Sequence, residues 1–218
     1  MNDKDLVKSK PWNWNLAQEE HWRTPSDELY PVAFRWQSIG CKKVLDLGCG
    51  VGRNSVFLSQ MGFEVDAFDL SPTAIEELNS KIMKLNLKIN TKIGDMLELP
   101  YANENFDSIL AFHTIYHTDM QGLQNVIGEM KRVLVDGGEI FFTLNSKMSP
   151  SFKNPTHKII DEHTIIKTEG LEKDIPHTFV DYEDIKMMLR GFQIIKIQQI
   201  EDIYDDISGW HYFILIKK

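Results

Sequence analysis

The chain has 218 residues, 42% of them hydrophobic and 26% charged, which suits one domain with a sizeable core. Its formal net charge of −8 gives no long-range attraction for a nucleic-acid backbone. Two cysteines (Cys41 and Cys49) are too few for a disulfide framework, the N-terminus lacks the apolar core of a signal peptide, and no apolar run approaches the ~20 residues of a membrane span; a reduced, cytoplasmic setting is expected.

Residues 1–24 are polar and rich in tryptophan (Trp12, Trp14, Trp22), which predicts a mobile start and a short helix near Gln18–Arg23. Residues 26–38 read as a helix opened by Ser26, with Leu29, Val32, Ala33 and Trp36 on one face. A strand over 43–48, a helix over 53–61 and a strand over 64–69 follow. Ser71-Pro72 is an N-cap with proline at the first helical position, opening a helix to about Leu85; a strand over 89–94 comes next. Asn103-Glu104-Asn105 turns into a strand over 106–112, then a helix from about Leu123 to Leu134, and Asp136-Gly137-Gly138 turns into a strand over 139–144. Residues 146–178 show no clean period. A helix over 181–190 ends at Gly191, and strands over 192–199 and 210–216 flank an acidic, solvated connection at 201–206. Strands alternating with helices imply a parallel sheet wound on both faces, and the closing pair implies one antiparallel edge strand.

The chemistry concentrates in Val44-Leu45-Asp46-Leu47-Gly48-Cys49-Gly50-Val51-Gly52-Arg53-Asn54. Gly48 and Gly50 let the backbone turn tightly and approach a ligand, and Gly52 lets the next helix start close to the sheet. Asp69 ends the second strand 21 residues after Gly48, near the ~20-residue spacing at which an acid meets a ribose diol. A dinucleotide fingerprint would put its third glycine at position 53, where Arg53 stands. A pyrophosphate would use the helix N-terminus as its anion site. S-adenosylmethionine has no phosphate, and its sulfonium and amino acid suit an acid near the loop.

Residues 44–71 resemble motif I and the following acidic strand of the class I S-adenosylmethionine-dependent methyltransferases. The resemblance continues through Gly94-Asp95-Met96-Leu97-Glu98-Leu99-Pro100, Asn105-Phe106-Asp107-Ser108-Ile109-Leu110 and Met130-Lys131-Arg132-Val133-Leu134-Val135-Asp136-Gly137-Gly138. It implies an α/β fold, a doubly wound, seven-stranded, mostly parallel Rossmann-like sheet with one antiparallel edge strand, and S-adenosyl-L-methionine as cofactor. One domain over 1–218 is expected, with an N-terminal cap (1–40), a cofactor core (41–145), a substrate-side insertion (146–180) and a closing part (181–218). Leu47–Ser55 and Gly62–Asp69 are similar to the tellurite-resistance and thiol-methyltransferase-like branch. The block from Leu99-Pro100-Tyr101 to Phe106-Asp107 is equally similar to the quinone and sterol type.

The resemblance places Asp46, Gly48, Cys49, Gly50 and Gly52 around the methionine part of the cofactor. Arg53 would pair with its carboxylate or with a helix end. Asp69 would take the ribose hydroxyls, Leu70 would pack beside the adenine, and Asp95 and Met96 would read and cover the adenine, with Ser71 and Phe112 also counted as cofactor contacts. Methyl transfer needs orientation and proximity, and a base only where the acceptor must lose a proton. His113, Tyr116 and His117, leaving the fourth strand, are the candidates for base or positioning. His113 and His117 have metal-pair spacing, but no carboxylate or cysteine cluster supports it, so no metal is expected. Trp14, Trp22 and His177 are candidate substrate contacts. The expected activity is methyl transfer to a small molecule. A chalcogen or thiol acceptor is the narrower alternative, a non-catalytic cofactor-binding module is the alternative of another class, and an RNA substrate is a third. Acceptor atom and oligomeric state stay open.

Overall fold

The computed structural model describes residues 10–17, 19–204 and 207–218. Gln18 and the first nine residues, including most of the expected mobile start, lie outside them, as do positions 205 and 206 of the expected connection.

Five parallel strands form the centre of the sheet: β1 (Lys43–Leu47), β2 (Glu64–Asp69), β3 (Ile89–Ile93), β4 (Phe106–Ala111) and β5 (Leu134–Ser146), in the order β3-β2-β1-β4-β5. Residues 45–47 of β1 and 65–68 of β2 are buried without alternation, as expected for strands covered on both faces. On one face lie α1 (Leu29–Ser38), α2 (Arg53–Gln60) and α3 (Pro72–Leu85), which contribute Trp36, Leu58 and Leu78 to a core with Val44, Val65 and Leu110. On the other lie α4 (Met120–Val133) and α5 (Tyr182–Met188), which contribute Val126, Met130 and Ile185 to a core with Leu45, Phe106 and Ile109. The sheet is therefore doubly wound, and the strand order reverses beside β1, where open α/β sheets bind ligands.

The remaining strands build outward from β5. β10 (Ile207–Lys217) runs antiparallel along β5, and β9 (Gln193–Tyr204) pairs antiparallel with β10 on its outer side. The antiparallel strand is thus one in from the edge. β4 pairs with β5 only as far as Ala111↔Phe142, so the same side of β5 is free beyond it. There β8 (Pro176–Val180) pairs parallel through Asn145↔Phe179 and Ser146↔Val180. β8 also carries the antiparallel strands β7 (Thr164–Ile166) and β6 (Lys158–Ile159). The aperiodic insertion is therefore a small sheet grafted onto the C-terminal end of β5, giving ten strands in all among the described residues.

Several boundaries differ from expectation for local reasons. α1 starts at Leu29, because the Ser26 carbonyl accepts a turn bond from Leu29 N–H while the Ser26 amide donates to Asn54 Oδ1. The Gln18–Arg23 helix reduces to a 3-10 turn at Glu20–Trp22, preceded by another at Trp14–Leu16. α4 starts at Met120, capped by Asp119, whose carboxylate accepts from Gly122 N–H at 2.7 Å. The Asp136-Gly137-Gly138 turn is an irregularity inside β5, where the β4 register slips between Phe106 and Ser108 and Gly137 takes φ +78°. Residues 201–204 of the acidic connection continue β9, where an edge strand tolerates charge and Asp202 Oδ2 lies 3.0 Å from His211 Nδ1.

Candidate active site

A cavity opens at the C-terminal ends of β1, β2 and β4. Its floor is the turn after β1. Gly48 and Gly50 have φ +70° and +53°, a region costly for side chains bearing a Cβ. A Cβ on Gly48 would sit 2.0 Å from Thr114 Oγ1, and one on Gly50 would sit 2.4 Å from the Trp14 ring. Both glycines are thus required by conformation and by space.

Asp69 holds this turn in place. One oxygen accepts from Gly50 N–H at 2.8 Å and the other from Ser71 N–H at 2.8 Å. Burial pushes its carboxyl up, against the two backbone donors that pull it down. Both oxygens retain acceptor capacity for further donors. Gly48, Cys49, Gly50, Arg53, Asp69, Leu70, Asp95, Met96 and Phe112 all line the cavity. The Arg53 guanidinium lies 5.7 Å from the Phe112 ring centroid and 5.9 Å from that of Trp22. Burial raises the Cys49 thiol, so it stays protonated.

Three of the expected cofactor residues act from behind the wall. Asp46 is 1% exposed and points beneath the turn to α2, accepting from Ser55 Oγ–H at 2.5 Å. Burial lifts its carboxyl to about 6, with Ser55 opposing and Asp69 adding to the lift. Gly52 caps α2 and packs against Leu78 of α3. The Ser71 hydroxyl accepts from Ala74 N–H at the start of α3 and lies 3.0 Å from the Trp12 carbonyl, to which it donates.

His113, Thr114 and His117 form the wall at the exit of β4. His113 has φ +52°, an uncommon conformation for a residue with a Cβ and one associated with functional sites. Its amide donates to Thr143 Oγ1 at 2.7 Å, and its Nδ1 lies 3.2 Å from Tyr116 Oη. Burial holds the His113 imidazole well below its ordinary value and the Tyr116 phenol well above. Tyr116 is 5% exposed and does not line the cavity; it stands behind His113.

Lys10, Pro11, Trp12, Trp14 and Trp22 also line the cavity, with the Trp12 ring centroid 6.0 Å from that of His117. The three indoles pack together at centroid distances of 5.2–6.1 Å. Arg23 ties this segment to α3 by donating to Ala17 O at 2.8 Å and pairing with Glu77 at 3.2 Å. Trp14 and Trp22, candidate substrate contacts in the sequence, line the cavity together with Trp12. His177, also expected against substrate, does not reach the cavity. It is 2% exposed on β8, with its ring 4.8 Å from that of His117, and burial lowers it to about 4. The unexpected neighbour is Glu172, brought by the insertion to 3.2 Å from His177 Nε2 and 3.5 Å from His117 Nε2. No local pattern around Glu172 announces this, because the contact is made by the docking of β8.

The cavity at the switch point thus brings together the glycine turn, the acid that ends β2 and the acid just beyond β3. Residues 44–138 match the family profile described as a methyltransferase domain. Over 96 residues the chain is 36% identical to the probable S-adenosyl-L-methionine-dependent methyltransferase TehB of Haemophilus influenzae, covering 44% of this chain and 33% of that protein. It is 34% identical over 115 residues to norajmaline N-methyltransferase of Rauvolfia serpentina, covering 50% of this chain and 39% of that protein. The match spans about a third of the length of the TehB relatives and about two fifths of norajmaline N-methyltransferase. The crystal structure of Haemophilus influenzae TehB superposes with a TM-score of 0.66 at 22% identity, covering 88% of this chain and 63% of that one. The Burkholderia thailandensis 1,6-didemethyltoxoflavin-N1-methyltransferase, solved with its substrate and S-adenosylhomocysteine, does so with 0.64 at 15% identity, covering 88% and 78%. No helix among the described residues is long and apolar enough to cross a membrane.

Proposed function

We propose that this protein transfers a methyl group from S-adenosylmethionine to a small-molecule acceptor. The observation that carries this reading is one cavity that joins the Gly48–Gly50 turn and Asp69 to the His113–His117 wall. The bound cofactor supplies an electrophilic methyl group on a sulfonium. The chain supplies the rest. Backbone at Gly48 and Gly50 admits the ligand closely. Asp69 accepts hydrogen bonds from a diol while Gly50 and Ser71 hold it in position. Asp95 and Met96 present an acceptor and a polarizable thioether to a flat heterocycle. Phe112 and the indoles exclude water and confine the acceptor, which favours transfer by proximity. His113, steadied by Thr143 and Tyr116, faces the acceptor side as a neutral imidazole able to orient it or to take a proton.

The N-terminal segment serves as the cap of the site, an assignment supported by the indoles against the glycine turn. The test is calorimetric titration with S-adenosylhomocysteine, with NADH as control. Micromolar binding of the first and none of the second is expected. Asp69→Ala should weaken it by about 1.5–3 kcal/mol, roughly 10- to 150-fold. Unchanged affinity in that variant would refute the role of Asp69, and binding of NADH alone would refute the cofactor. A positive titration justifies an acceptor screen over thiols, selenite, quinones and amines.

A further inference from the structure

His117, Glu172 and His177 come from three separate places: the exit of β4, the loop between β7 and β8, and β8 itself. One ligand atom from each lies within 4.8 Å of the others. Glu172 bridges the two imidazoles, with Oε2 3.2 Å from His177 Nε2 and Oε1 3.5 Å from His117 Nε2. In a tetrahedral site with bonds of about 2.0–2.1 Å, neighbouring ligand atoms are about 3.3 Å apart. Each imidazole nitrogen faces one Glu172 oxygen at about that spacing, the two oxygens being different, and the three ligand atoms lie within 4.8 Å of one another.

The state of His177 points the same way. Its Nδ1 lies 3.0 Å from the Ile175 carbonyl, which can only accept, so Nδ1 carries the proton. In the neutral ring Nε2 then offers a lone pair, and it faces a carboxylate oxygen without a hydrogen bond. The two lone pairs converge on a space that a cation suits. A ring nitrogen fixed by a backbone carbonyl on its far side is also how metal-binding histidines are commonly oriented. Lys167 Nζ already contacts Glu172 Oε2, so an incoming ion must share or displace that ammonium.

We infer that His117, Glu172 and His177 form a binding site for a divalent transition metal, with zinc the best match to two imidazoles and a carboxylate, and that its open coordination position faces the cavity beside His117. Three protein ligands leave that position for water or for a small molecule bearing a hydroxyl, thiol or carboxylate. Use of the ion to hold an acceptor rests on the methyl-transfer reading; the site itself does not.

The protein is freed of metal and titrated with Co²⁺, then with Zn²⁺. A single equivalent of Co²⁺ should give visible absorption bands of a four- or five-coordinate site, and Zn²⁺ should displace it with a Kd below about 1 μM. Glu172→Gln and His177→Ala should each weaken Zn²⁺ at least ~30-fold. Glu172→Gln is the conservative change and keeps the test valid should His177→Ala fail to fold. Absence of Zn²⁺ binding below about 10 μM, or unchanged binding in Glu172→Gln, would overturn the site. S-adenosylhomocysteine is titrated on the same samples. Zn²⁺ binding without it removes the transfer reading and leaves the metal site, and the converse result does the opposite.

Discussion

Asp46 is a buried carboxyl whose ionisation costs the folded chain stability. A carboxyl lifted from 3.8 to about 6 binds protons in the folded state that the unfolded chain has released. Between those values stability therefore falls as pH rises, and it levels off above about 6, a total on the order of 3 kcal/mol. An asparagine in its place would not titrate. Asp46→Asn should thus gain stability over the parent as pH rises through this window, while binding S-adenosylhomocysteine less well. Urea unfolding at about pH 4.5 and about pH 7.5 measures it; a stability difference independent of pH would remove the argument. The contact between Gly50 and Trp14 is tested by a cycle. Gly50→Ala forces an unfavourable φ and meets the indole, so it should cost about 1–3 kcal/mol, and Trp14→Ala should relieve only the second part. A coupling energy above about 0.5 kcal/mol places the indole on the turn, and strict additivity would not.

At the level of elements, α1 is fastened to β5 by one pair. Arg35 donates to both oxygens of Glu139, at 2.7–3.2 Å, and the Glu139 side chain is 1% exposed. Arg35→Leu leaves that carboxylate buried without its partner, which should cost about 2–4 kcal/mol; the double change to leucine at both positions should recover most of it. Chemical denaturation of the three variants decides. Residues 44–138 were legible because their signals are local: a glycine turn after an apolar run, acids at strand ends, a serine-proline cap. The ends of elements were less so. The apolar pattern favoured a start at Leu123, whereas Asp119 caps the helix and starts it at Met120. The acids at 201 and 202 argued for solvent, whereas the long pairing with β10 carries them as strand. The strained backbone of His113 and the arrival of Glu172 leave no trace in any short window, since both depend on what is packed against them.

At the scale of the whole molecule, the glycine turn, Asp69 and Asp95 come from the first half of the sheet and line one cavity, whereas the insertion extends β5 and contributes no lining residue of that cavity. The first group carries local signals in the sequence; where the insertion docks depends on the pairing of β8 with β5 and is not written in any short stretch.

The position of β10 carries a consequence for how the chain is made. It lies between β5 and β9, and it is drawn from residues 207–217. Until a ribosome has delivered those residues, one side of Ile140-Phe141-Phe142-Thr143-Leu144 has no strand beside it. That segment combines strong β preference with no charge, the signature of intermolecular pairing. A nascent chain paused after Tyr204 should therefore aggregate or occupy a chaperone, although its cofactor turn is complete. Expression of residues 1–204 alone should yield insoluble protein, and charged substitutions at Phe142 or Leu144 should restore solubility without restoring the fold. A soluble, monomeric fragment would show that β5 tolerates its open side.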